Sequence, residues 1–165
     1  RHPNPDDILI EDIAHGLAQT CRYVGQCLRY YSVAQHSVNV ASILPQDFKL
    51  AGLMHDATEA YMSDLPHPIK SAVRAYQILE DNLRVEIFKK FGIVDNPQLV
   101  KAADNAMYAA EYPVLMHPAT HKRLSTNKVV PELWMTDPMP LITWWTMDMA
   151  KYLFLEWFNA LYRGV

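Results

Sequence analysis

The run Leu53-Met54-His55-Asp56-Ala57-Thr58-Glu59-Ala60-Tyr61-Met62-Ser63-Asp64-Leu65-Pro66 constrains this chain more than any other, because it sets four titratable groups into an otherwise apolar segment of helical composition. On a helix His55 and Glu59 stand at i and i+4, and Asp56 and Glu59 at i and i+3. One imidazole and two carboxylates therefore converge on neighbouring positions of a single face. Leu50, Leu53 and Met54 mark that face as core-directed. An ion placed in a core costs more than local folding recovers unless it is paired or bound to metal. Any fold of this chain must bring partners to these groups, and a metal or catalytic site is the first expectation.

The rest of the chain supplies them from helices. Asp6 or Asp7 caps an expected helix over residues 8–18, with Ile10, Ile13, Ala14 and Leu17 at core spacing, ending near Cys21. Residues 22–31 have no helical period and set Arg22 and Arg29 among aromatic side chains, the composition of a ligand-facing loop or of a plain connector. Ser32 opens a helix over 33–44 whose stripe Val33, His36, Val40 and Ile43 puts His36 on the buried side. Pro45 ends it and starts the next, expected to run to about Met62 and to carry His55 and Asp56. A tight turn between the two helices would bring His36 alongside that pair.

Pro66 and Pro68 stop the third helix near Asp64. Residues 69–92 read as one helix or two, with Val73, Tyr76, Ile78, Leu79, Leu83, Ile87 and Phe91 towards the core and Gly92 as the C-terminal cap. Asn96-Pro97 starts another helix, in which Val100, Ala103, Asp104, Met107 and Tyr108 form one stripe, so Asp104 is a second carboxylate among apolar neighbours. Residues 117–140 carry Pro118, Pro131, Pro138 and Pro140 and read as a long loop with a short helical turn near Leu133-Trp134-Met135, of the kind used as a lid or assembly surface. The last helix is expected over 141–162, with Ile142, Trp145, Met149, Leu153 and Trp157 inward and enough further apolar breadth for a subunit contact. No stretch alternates like a strand, so the fold class is all-α, a compact helical bundle forming one domain over residues 1–165.

Composition narrows the function classes. A chain of 165 residues that is 50% hydrophobic and 20% charged is globular and large enough to fold without a structural metal as staple. Its net charge of −3 argues against binding a nucleic-acid polymer, which needs a basic stripe, and suits a small ligand better. No run approaches the length of a membrane span, so no membrane partner is expected. Cys21 and Cys27 fit neither a zinc knuckle nor a disulfide framework and read as two reduced thiols. A chain that begins at Arg1 rather than Met is expected to lack a few residues before it.

His36, His55, Asp56 and Asp104 together make a mixed nitrogen and oxygen donor set suited to a divalent transition metal. In this order they resemble the H…HD…D signature of the HD-domain phosphohydrolase superfamily. Tyr31-Ser32-Val33-Ala34-Gln35-His36-Ser37 looks like the first-histidine segment and His55-Asp56-Ala57-Thr58-Glu59-Ala60 like the central motif. Asp64-Leu65-Pro66-His67-Pro68-Ile69-Lys70 looks like its continuation and Lys101-Ala102-Ala103-Asp104-Asn105 like the final aspartate motif, the whole covering roughly residues 8 to 112. The pattern is similar to compact 5′-deoxynucleotidases and to phage enzymes that hydrolyse deoxynucleoside triphosphates, dATP among them.

The resemblance implies a helical HD-type bundle in which His36, His55, Asp56 and Asp104 ligate one divalent ion (Co, Mn, Zn or Fe), with further Mg²⁺ carried in on the nucleotide phosphates. It implies catalytic roles for Glu59, which would hold or deprotonate the attacking water or pass a proton to the leaving 5′-oxygen, and for Asp64, near the leaving group or a second ion. It assigns Arg22 and Lys70 to the phosphates, and Tyr23 and Val24 are then placed as walls for the base. The activity it implies is release of the phosphate moiety from a deoxynucleotide, with dATP as the expected substrate. A 5′-deoxynucleotidase acting on monophosphates is the alternative, and a non-catalytic nucleotide-binding or metal-stabilised sensor is the reading from another class. It further implies a homo-oligomer, a dimer or hexamer, in the cytoplasm of a bacterium or of a phage-infected cell.

Overall fold

A computed structural model describes residues 3–119 and 139–162. Among these residues there are eight α-helices and no strand: α1 (Ile10–Gln19), α2 (Val33–Ser42), α3 (Lys49–Leu53), α4 (Glu59–Met62), α5 (His67–Ala72), α6 (Arg74–Lys90), α7 (Pro97–Leu115) and α8 (Met147–Leu161). Short 3₁₀ turns lie at Pro5–Asp7, Arg22–Gly25 and Gln46–Phe48. The chain is all-α, as the absence of alternating stretches requires. No helix among the described residues is long and apolar enough to cross a membrane.

The bundle is built around α2. Ser32 caps it by accepting from the Gln35 N–H, and nine of its ten residues, Val33 to Ala41, are buried. A helix covered on all sides must be touched on all sides, and α1, α3, α7 and α8 all pack against it. Gly52 of α3 lies against α2, where a Cβ would come within 3.3 Å of Ala41 Cα. Gly16 of α1 crosses α4, where a Cβ would come within 2.8 Å of Ala60 Cβ. Those two close approaches fix the ends of the short segment between α3 and α4, which carries His55 and Asp56. Around it one apolar cluster gathers Ile13, Leu17, Leu53, Met54, Ile87 and Phe154, and a second gathers Val40, Ala51, Val100 and Met107.

Four expectations are corrected. The first helix starts at Ile10 with no side-chain cap, while Asp6 and Asp7 fall in a 3₁₀ turn that Asn4 caps. The helix expected from Pro45 to Met62 is broken: residues 54–58 form turns between α3 and α4. His55 Nδ1 lies 2.7 Å from the Gly52 carbonyl oxygen, the acceptor that a continuous helix would give to the Asp56 N–H, so the side chain competes with the ladder. Residues 69–92 divide at Val73, and Val73, Ile78 and Leu79 are exposed, leaving Leu83, Ile87 and Phe91 in the core. Gly92, at φ 58°, ends α6 as expected, with Gly92 N–H donating to Lys89 O and Ile93 N–H to Phe88 O.

The last helix begins at Met147, capped by Thr146, and buries Ala150, Phe154 and Phe158 rather than the row containing Met149, which is exposed. Most of the long loop expected over 117–140, including its helical turn near Trp134, lies outside the described residues. Cys21 and Cys27 are free thiols.

Candidate metal centre

Two carboxylates grip His36. Buried completely on α2, it places Nε2 3.2 Å from Asp104 Oδ1 and Nδ1 2.9 Å from Glu111 Oε1, both from α7. His55 lies across from it at 5.4 Å between ring centroids, and its Nε2 is 3.0 Å from Asp56 Oδ2. One ligand atom from each of His36, His55 and Asp56 falls within 4.8 Å of the others, a group able to hold a metal ion. Asp104 joins this triplet through His36, and its second oxygen is held by Lys101 Nζ at 2.6 Å.

The donor chemistry fits an ion. Gly52 O can only accept, so His55 Nδ1 carries a proton, and Nε2 is the ring atom that can present a lone pair. That Nε2 is buried without a hydrogen-bond partner among the described residues, although it faces a carboxylate oxygen 3.0 Å away. Two lone pairs at that separation repel unless a positive charge lies between them, a proton or a metal. His36 has the matching arrangement, with Nδ1 turned to Glu111 and Nε2 towards the cluster.

The charges in the pocket are strongly coupled. Burial and then Arg22 oppose a proton on His36, but Glu111 and Asp104 outweigh both and raise it to about 9. Burial likewise opposes ionisation of Asp56, yet His55 and His36 hold it at about 2. Asp104 lies well below the ordinary carboxylate range against the same burial, through its bond to His36. Glu59, at the start of α4, is the opposite case: burial and then the charges of Asp56 and Asp64 push it up to about 10. Asp64 is raised for the same two kinds of reason, burial first and Asp56 second. A pocket in which carboxylates raise one another holds more negative charge than its own cations neutralise.

Arg22 supplies one of those cations. Its side chain is only 14% exposed, and Nε lies 3.1 Å from Glu111 Oε2. Burial disfavours the guanidinium charge, and Glu111 more than restores it. The guanidinium sits 5.1 Å over the Tyr23 ring, which itself meets Tyr108 at 6.0 Å and Tyr112 at 5.9 Å between centroids. Tyr23 and Val24 adopt φ of 54° and 55°, a left-handed conformation costly for any side chain and most of all for a β-branched one. The turn is closed behind them by Arg22 N–H donating to Tyr31 O and Val33 N–H donating to Thr20 O. Val24 is 62% exposed, so of this pair Tyr23 is the one built into the pocket wall. Lys70 Nζ is paired with Glu80 Oε1 at 2.6 Å, within electrostatic reach of Glu59 and Asp64 but already partnered.

The sequence reading passed over Glu111. It follows Asp104 by seven residues, two helical turns, which places both carboxylates on the same face of α7. That spacing was available as a signal, beyond the end of the stripe traced from Val100 to Tyr108. A groove of about 510 Å³ between Gln46, Lys49, Tyr152, Glu156 and Trp157 lies on other elements and includes none of these residues.

No family model matches the chain. It is 43% identical over 111 residues to the uncharacterized protein YfdR of Escherichia coli, a match that takes in 66% of this chain and 61% of that protein. It is 38% identical over 117 residues to an uncharacterized protein of Rhodobacter capsulatus, taking in 62% of this chain and 60% of the relative. The chain thus spans about three fifths of the length of the curated relatives it matches.

Proposed function

We propose that the chain is a metal-dependent phosphohydrolase of the HD type that removes phosphate from a small deoxynucleotide. The observation that carries this reading is the paired orientation of His36 and His55: each has Nδ1 turned to an acceptor, and the Nε2 atoms meet Asp104 and Asp56. His36, His55, Asp56 and Asp104 would hold the ion. A divalent cation bound there supplies a Lewis acid and acidifies a water. The protein's own residues do the rest. Glu59, raised by burial and by the charges of Asp56 and Asp64, can carry a proton to a leaving 5′-oxygen. Asp64, raised as well, stands by as a second proton carrier. Arg22 offers its guanidinium to phosphate oxygens, and Tyr23 offers a ring face for the base.

Two substrates compete. The resemblance in sequence favours a triphosphate, dATP, which brings about four negative charges and needs cations beyond Arg22. The pairing of Lys70 with Glu80 favours a monophosphate, because the second expected cation is already neutralised. Product analysis separates them: the protein is incubated with a panel of dNTPs, dNMPs and ribonucleotides after chelation and add-back of Co²⁺, Mn²⁺, Zn²⁺ or Mg²⁺. Inorganic triphosphate as first product assigns the dNTP reading, and orthophosphate from dNMPs alone assigns the nucleotidase reading. His55→Ala is expected to abolish metal uptake and phosphate release with the helical circular dichroism retained. An active, metal-free His55→Ala protein would sink the proposal.

A further inference from the structure

Glu111 is fully buried, and three groups from different parts of the chain meet its carboxylate. Tyr31 Oη donates to Oε1 at 2.8 Å, His36 Nδ1 is 2.9 Å from the same oxygen, and Arg22 Nε is 3.1 Å from Oε2. Asn39 Nδ2 donates to the Tyr31 hydroxyl at 2.8 Å. This order dictates where the protons are. An amide nitrogen only donates, so the Tyr31 oxygen accepts from Asn39 and spends its own proton on Glu111. An ionised carboxylate only accepts, so the proton shared with His36 belongs to Nδ1. The ring atom left to lose a proton, and so to become a ligand, is Nε2, on the side of the metal cluster.

The second carboxylate oxygen does different work. Arg22 leaves the 3₁₀ turn Arg22–Gly25, whose next two residues sit at positive φ, and Glu111 is the buried anion against which its guanidinium rests. A single side chain on α7 therefore touches both the histidine of the metal cluster and the cation offered to phosphate.

We infer that Glu111 is a positioning residue: through Oε1 it fixes His36 as an Nε2 ligand, and through Oε2 it holds Arg22 at the pocket, joining the cation-binding and anion-binding halves of the site. This rests on reading the His/Asp cluster as a metal centre, and the tests separate the two ideas. Co²⁺ and inorganic phosphate serve as probes in the whole chain, with no need of turnover. Glu111→Ala should weaken Co²⁺ binding about 10–100-fold, the usual cost of losing a carboxylate behind a metal-bound histidine, and should change the visible Co²⁺ absorption. Glu111→Gln retains an acceptor for His36 Nδ1 but turns an amide N–H towards Arg22. It should hold Co²⁺ within roughly threefold of wild type while phosphate binding to the loaded protein falls about 10-fold or more.

A residue that merely filled space would lower the melting temperature of both variants without this split. In the wild-type protein loaded with Zn²⁺, ¹⁵N spectra should report His36 with Nδ1 protonated and Nε2 on the metal, a measurement that stands even if Glu111→Ala fails to fold. Metal on Nδ1, or Co²⁺ and phosphate binding unchanged in folded Glu111→Ala, overturns the inference alone. A wild-type chain that takes up none of the ions overturns both it and the metal centre.

Discussion

Lys101 illustrates how a single exposed residue can tune a buried site. It is i−3 from Asp104 on α7, its side chain is 66% exposed, and its ammonium lies 2.6 Å from Asp104 Oδ2. An exposed pair of this kind stabilises a fold by at most about 1 kcal/mol. Its effect on ligation is larger in kind, because a cation on one carboxylate oxygen draws charge away from the oxygen meant for an ion. Lys101→Met should therefore leave the melting temperature nearly unchanged and tighten Co²⁺ binding a few-fold, read by titration calorimetry; weaker binding would show that Lys101 helps the ion instead. Residues of this sort divide what the sequence revealed from what it hid. His36, His55, Asp56 and Asp104 were legible because polar groups in apolar stripes need partners. Glu111 obeys the same rule and was missed because the stripe traced along this helix, Val100, Ala103, Asp104, Met107 and Tyr108, stops three residues short of it. The chain's pairing of Lys70 with Glu80, ten residues on, was not legible at all, since it depends on how α5 meets α6 at Val73.

Between elements, the site depends on backbones brought closer than ordinary side chains allow. At Gly16 an added methyl would lie 2.8 Å from Ala60 Cβ, 2.9 Å from its Cα and 3.0 Å from its carbonyl oxygen, so α4 itself would have to move. Gly16→Ala gains helix propensity but should lose a net 1–3 kcal/mol or so through overpacking, measured by urea denaturation. Because Glu59 immediately precedes Ala60, phosphate release should fall as well; stability at or above wild type would refute the contact. The face of α8 gives a second contrast. Phe154→Ala should cost about 3–5 kcal/mol, whereas Met149→Ala, on the exposed side, should stay within roughly 0.5 kcal/mol. Equal costs would mean that the helix is rotated from its position here. Sequence alone points to the wrong face, with Met149 inward, because α8 is apolar on several sides: Met147, Met149 and Tyr152 are exposed beside a core row of Ala150, Phe154 and Phe158. The break between α3 and α4 was illegible for a different reason, since Met54 to Thr58 holds no glycine or proline, yet its ladder tightens to i−3 bonds, Ala57 N–H to Met54 O and Glu59 N–H to Asp56 O, beside the bond between His55 and Gly52 O.

For the molecule as a whole, the candidate ligands come from three places in the chain: α2, the turn between α3 and α4, and α7. An ion shared by His36, His55, Asp56 and Asp104 would tie these segments together only in the folded state, because the unfolded chain separates them. Binding that discriminates in this way stabilises by RT ln(1 + [L]/Kd), about 2.7 kcal/mol at a free ion concentration of 100 Kd. In a domain of this size 1 kcal/mol shifts the melting temperature by roughly 2–4 °C. Co²⁺ or Mn²⁺ at that excess should thus raise it by about 5–11 °C over protein treated with a chelator. His55→Ala should melt close to the ion-free wild type and gain almost nothing from the ion, since its side chain makes one backbone hydrogen bond in the ion-free fold. A scan in which added ion raises wild type and His55→Ala equally would place the binding elsewhere on the surface, and one in which it raises neither would remove the metal from the reading of the fold.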